Sequence, residues 1–204
     1  MLRGTARKAL LGALALCAGM GLAVTPASGA AQTTAWRVDP GGAFAGQATT
    51  VVFSLRRVRW PCATSTADGT LAASDGDGLA AGTVDVMYSN CRLAGIVLDF
   101  KAVGTWKVDL LQKNSAHSSW VDVAVSGIDL KWAGPGCAVE FKGTQYGHYD
   151  NDTGRLVLGS ADDPASKLIS LPGSSCLGLV SPDEVATMQA TYSLTPAQKI
   201  TPAT

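Results

Sequence analysis

Trp120-Val121-Asp122-Val123-Ala124-Val125-Ser126-Gly127-Ile128-Asp129-Leu130-Lys131-Trp132 decides the fold class. Val121, Val123 and Val125 alternate with Asp122 and Ala124, and Ile128, Leu130 and Trp132 alternate with Asp129 and Lys131. A period of two, carried by β-branched and aromatic residues, is the pattern of a half-buried strand. The alternation breaks at Gly127-Ile128, which predicts a β-bulge. Outward from this stretch the same period continues. It is carried by Val139, Phe141 and Gly143 on one side, by Val84, Val86 and Tyr88 on the other, and by Thr49 to Phe53 with Leu55 further back. Turn chemistry separates the runs: Asp68-Gly69, Asp75-Gly76-Asp77-Gly78, Gly134-Pro135-Gly136, Asn151-Asp152-Thr153-Gly154 and Pro172-Gly173. The one helical signal is Asp183-Glu184 after Ser181-Pro182, enough for a single short turn. The expectation is an all-β chain, an antiparallel sandwich or barrel of about ten strands.

The decisive strand also has an echo. Trp36-Arg37-Val38-Asp39 returns as Trp106-Lys107-Val108-Asp109, and each is followed by a strand ending in a tryptophan shortly before Pro and Cys. The first copy runs from Val51 to Trp60, Pro61 and Cys62; the second runs from Trp120 to Trp132, Pro135 and Cys137. With Trp60 set over Trp132, Arg56-Arg57 falls over Gly127-Ile128, so a bulge is expected in both. The period is about 70 residues, too long and with too few copies for a solenoid. Two pseudo-symmetric halves, 36–105 and 106–194, are expected.

Residues 1–30 read as a secretory signal peptide. Arg3, Arg7 and Lys8 precede an apolar run from Ala9 to Val24, and Ser28-Gly29-Ala30 supplies small residues for cleavage. The run is interrupted by Gly12, Gly19 and Gly21 and has no basic flank after it, which argues against a membrane anchor. The expected mature domain is 31–204. It keeps 13 basic and 16 acidic residues, a net charge of −3. That balance disfavours nucleic acid and anionic membrane as partners. Its cysteines are Cys62, Cys91, Cys137 and Cys176, an even number without any C-x-x-C pair. In an exported chain these read as two disulfides rather than a zinc site. Four cysteines allow three connectivities. If each half is self-sufficient, each holds its own bridge, so Cys62–Cys91 and Cys137–Cys176 are expected.

Chemistry-bearing constellations are few. His117 lies in a polar stretch and His148 near a strand end, without metal-pair spacing. Gly-x-Ser-x-Gly is absent, and oxidised cysteines leave no thiol nucleophile. Asp99, Asp109, Asp122 and Asp129 read as the polar face of sheets, though two acids sharing one cleft would suit polysaccharide hydrolysis. Asp150 to Gly154 has the look of a calcium loop, but Ala161 stands where the closing acid belongs, so a hairpin turn explains it and no metal or cofactor is expected. Trp60 beside Arg57 and Arg59 is the candidate binding cluster, an aromatic among the only grouped cations.

Several segments together resemble a large group of uncharacterised secreted actinobacterial proteins. They are Trp36 to Phe44, Gly134-Pro135-Gly136-Cys137, Thr153-Gly154-Arg155-Leu156, the four cysteines and Pro196 to Thr201. The resemblance implies secretion and an all-β fold and carries over no catalytic residue. The expected function is therefore non-catalytic: a structural, adhesive or binding role at the cell exterior, with an extracellular polymer as the candidate partner. The alternatives are a secreted polysaccharide hydrolase and a barrel carrying a small apolar ligand in its interior.

Overall fold

The computed structural model describes residues 35–56, 58–93 and 95–203. Residues 1–30, expected as a signal peptide, therefore lie outside the described residues. Seventeen strands follow in chain order, several of them short: β1 (Trp36–Asp39), β2 (Gly42–Ala48), β3 (Val51–Leu55), β4 (Val58–Cys62), β5 (Thr64–Leu71), β6 (Ser74–Asp75), β7 (Gly82–Ser89), β8 (Cys91–Leu93), β9 (Ile96–Ala102), β10 (Trp106–Lys113), β11 (Trp120–Gly134), β12 (Cys137–Asp150), β13 (Arg155–Leu158), β14 (Leu168–Ser170), β15 (Ser175–Cys176), β16 (Val185–Thr195) and β17 (Lys199–Pro202). Every pairing is antiparallel. The helical turn expected near Asp183 is instead a tight turn, with Asp183 at φ +61°.

Following hydrogen-bonded neighbours gives a closed ring: β2, β5, β7, β10, β11, β12, β13, β16 and back to β2. This upper barrel has no free edge, which is the complete solution to the exposed-edge problem of sheets. A second ring uses the other halves of the same long strands: β3, β4, β8, β9, β11, β12, β14, β16 and back to β3. It is laddered everywhere except between β4 and β8. There Cys62 and Cys91 form a disulfide, and neighbouring Pro61 has no N–H to donate. The second disulfide, Cys137–Cys176, joins β12 to β15. Both bridges are the expected pairs.

β11, β12 and β16 run through both barrels, and local devices mark the crossing. Val125 pairs with Gln145 and Ile128 with Gly143, so Ser126-Gly127 together face the single residue Thr144. Gly127 takes φ +69°. The extra residue lets Val121, Val123 and Val125 point inward above it and Ile128, Leu130 and Trp132 below it, all nearly fully buried. Opposite the bulge, a Cβ on Gly143 would collide with the Lys167 carbonyl, so only glycine fits. Where β16 passes from β14 to β13, its Met188 N–H donates to the side-chain oxygen of fully buried Gln145. That satisfies a donor the ladder leaves open.

The bulge expected at Arg56-Arg57 does not form. Leu55 pairs with Val58, so the chain reverses in a two-residue hairpin, with Arg56 at φ +49°. A glycine allows the chain to kink and continue, whereas this segment ends one strand and starts another. The two tryptophan echoes also occupy different places. Trp106 sits on β10 in the upper barrel wall, while Trp36 sits on β1 in a separate three-stranded sheet, β17-β1-β6. That small sheet buries Trp36, Val38 and Ile200 in the common core.

Side chains fill both barrels. In the lower one Trp132 stacks on Phe100 at 4.5 Å between centroids and lies 4.6 Å from Phe141, 4.7 Å from Trp60 and 5.5 Å from Phe53. These separations fall in the range of favourable aromatic contacts. In the upper one a cavity of about 20 Å³ remains between Phe44, Trp106, Val108, Leu156, Met188 and Tyr192. That space is far below the hundreds of cubic ångströms a small-molecule site requires. The ligand-carrying alternative therefore finds no chamber here.

Candidate functional site

The cluster singled out from the sequence is pulled apart by the pleat. Trp60 points into the lower barrel and is completely buried, so its ring offers no surface for a ligand. This corrects the expectation of a Trp60–arginine platform, and the cause is the alternation of the strand: Arg59 faces solvent because Trp60 does not. Arg56, in the β3–β4 turn, holds the carboxylate of Glu184, just before β16, at 2.9 Å. Arg57 lies outside the described residues.

Three of the four acids named for a potential catalytic pair are engaged individually. Asp109 accepts from the Ala80 N–H and the Ser126 hydroxyl. Asp122 accepts from the Gln112 and Asn114 amides. Asp129 is paired with Lys142 at 3.1 Å, and Lys142 reaches Glu140 at the same distance. Hydrogen bonding from Lys142 holds the Glu140 carboxyl below its usual range, and the hydrogen bond to Asp129 raises the Lys142 ammonium. Asp99 stands exposed on β9. Of the concavities found among the described residues, none is lined by two carboxylates.

Asp150 to Gly154 forms the hairpin turn between β12 and β13. The Asp150 carboxylate accepts from the Asp152 N–H and the Thr153 hydroxyl, and Gly154 at φ +67° closes the turn. Desolvation raises the Asp150 carboxyl, but these donors, the Ser119 hydroxyl and the nearby His148 together hold it below its ordinary value.

The two histidines do meet, through a tryptophan. Trp120 lies between His148, with centroids 3.6 Å apart and planes 7° apart, and His117 at 3.8 Å and 26°. His117 is exposed on the β10–β11 loop, whose tip is held by Asn114 accepting from the Ala116 and His117 N–H groups. His148 is buried on the outer face of β12, its Nδ1 2.9 Å from Asp163. Asp163 also accepts from the Ser160 N–H, so the ring pins the 159–167 loop against the barrel. Trp120 is the one tryptophan among the described residues that is not fully buried, yet both its faces are covered. What it presents outward is an edge.

That edge borders a cleft of about 220 Å³ between the β10–β11 loop, the β12–β13 turn and β17. The Trp120 edge and Pro202 give it an apolar wall, the backbone of buried Ile200 forms part of its floor, and Lys113, Lys199 and Asp152 stand on its rim. Asn151 ties the three segments together. Its amide donates to the carbonyls of Ser119 and Ile200 and accepts from the Ile200 N–H, and its backbone N–H also donates to Ser119. The sequence reading did not find this cleft, because its parts come from positions 113, 120, 152 and 199 and converge only once β17 folds back. The Trp120–His148 contact could have been counted from the Gly134-Pro135-Gly136 turn, given the bulge.

The fold and site define a disulfide-bridged, all-antiparallel double barrel with an outer cleft and a filled interior. Comparisons with protein-family models, with curated proteins and with solved structures found no match. Two disulfides fit an oxidising, extracellular environment. Among the described residues no helix is long and apolar enough to cross a membrane.

Proposed function

We propose that this chain is an exported, non-catalytic binding protein of the cell exterior, and that it engages an extracellular polymer through its outer surface. The observation that carries this reading is the filled interior: about 20 Å³ in the upper barrel and packed aromatic rings in the lower leave contact with a partner to the outside. The individually engaged carboxylates support the non-catalytic part, since glycoside hydrolysis needs two acids free to act across one cleft. The rim cleft beside Trp120 is one contact site on that outside, the one that joins an aromatic edge to two lysines, and the exposed Arg59 face is a second, charged one.

Cosedimentation tests the proposal. The purified disulfide-bonded protein should be retained by at least one insoluble polysaccharide from cell wall or extracellular matrix, and no reducing ends should accumulate over hours. Release of soluble sugar in proportion to protein added would overturn the reading in favour of the hydrolase.

A further inference from the structure

The rim cleft has a chemical preference of its own. At about 220 Å³ it has room for a single ring rather than a chain of rings, and its apolar wall combines the Trp120 edge with Pro202. Such a mixture, apolar walls with a few polar groups at fixed positions, is the usual composition of a small-molecule site. Two ammonium groups, Lys113 and Lys199, stand on its rim against one carboxylate, Asp152. Among the described residues neither lysine is in an ion pair, whereas Lys131 and Lys142 on the lower barrel are paired with neighbouring acids. This local excess of positive charge sits on a mature chain of net negative charge. Charges placed in this way set which ligand is accepted more than how tightly any ligand is held.

The walls of the cleft are also tied to one another before any ligand arrives. Asn151 spends its side chain on Ser119 and Ile200, so it fixes the walls rather than reaching into the space. Imidazole rings stack on both faces of Trp120 and set the position of its edge. A preformed site avoids the ordering cost that weakens flexible ones.

We infer that the cleft binds one acidic sugar unit, a six-membered ring bearing a carboxylate, with the ring against the Trp120 edge and Pro202 and the carboxylate between Lys113 and Lys199. The inference rests on the proposed binding role and adds the ligand class.

The test is a titration of the full disulfide-bonded protein with glucuronate, followed by amide and indole NMR shifts, with glucose and acetate as controls. Glucuronate at millimolar concentration should shift the amides of 113, 118–121 and 199–201 and the Trp120 indole. Glucose and acetate at the same concentration should move them little. The variant K113Q/K199Q, changed at two exposed positions, should keep the native spectrum and bind glucuronate at least tenfold more weakly. Unchanged binding by that variant, equal shifts with glucose, or no shift with glucuronate would each overturn the inference. Retention on polysaccharide that survives K113Q/K199Q would overturn the cleft as the site while leaving the broader binding role in place.

Discussion

The two barrels solve the same problem in different ways. The upper ring is sealed by backbone alone, since eight strands pair in a circuit without interruption. The lower ring fails to seal at one seam, between β4 and β8, and a covalent bond crosses the gap. Their interiors differ in the same sense. Valine, leucine and a few larger rings line the upper barrel, whereas Trp60, Trp132, Phe53, Phe100 and Phe141 crowd into one aromatic cluster in the lower. The lesson is that ladder hydrogen bonds can be replaced locally, provided that a staple and a dense core take over their work.

The largest effect should come from that core. Trp132→Ala removes the ring at its centre and should lower unfolding free energy by about 3–5 kcal/mol. Chemical denaturation measures this, and a loss below about 1 kcal/mol would mean that the aromatic cluster is not what holds the lower barrel.

Next come the staples. By the chain-entropy model, loops of 29 and 39 residues make the two bridges worth about 3.5–4 kcal/mol each. Their local consequences should differ. C62A/C91A should speed amide exchange in β3, β4, β8 and β9, because no ladder remains at the seam. C137A/C176A should leave exchange in β11 and β12 slow, because those strands stay paired along their length. Equal exchange profiles in the two variants would show that the seam is not the weak point.

The smallest effect belongs to the upper barrel and is visible only in alkali. Tyr192 is buried, and desolvation pushes its phenol up to about 12, with hydrogen bonds to Ser65 and Tyr88 acting the other way. Tyr88, partly buried against the same core, is raised too, again chiefly by desolvation. The sign follows from proton binding: an unfolded tyrosine releases its proton near pH 10 while the folded one keeps it. The stabilisation is therefore intact below pH 10 and is lost as pH rises toward 12. Melting curves across that window should show a shallower decline for Tyr192→Phe than for the parent. An identical slope would place the alkaline sensitivity elsewhere.

Much of this was legible beforehand. The alternation in Trp120–Trp132 gave the wall shared by both barrels, and its break gave the bulge, because burial imposes a period of two and an inserted residue shifts its phase. The cysteine pairs followed from treating each half as self-sufficient. What stayed hidden depended on long-range closure. Arg56-Arg57 resembled Gly127-Ile128 in position, yet whether a chain kinks or reverses there depends on which strand waits alongside. Trp60 looked like a binding residue next to arginines, and only the inward face of β4 shows it to be core. The cleft joins residues nearly ninety positions apart, so no local pattern announced it.

The pairing of β1 with β17 has a mechanical side. Trp36 lies opposite Pro202, so the chain enters and leaves the fold at the same place and on adjacent strands. A pull on the two ends would strain this ladder one rung at a time, like a zipper, rather than loading all its rungs together. The little sheet would peel off first and at low force. That would bare Trp36 and Val38 while the ring of ladders in the upper barrel still held.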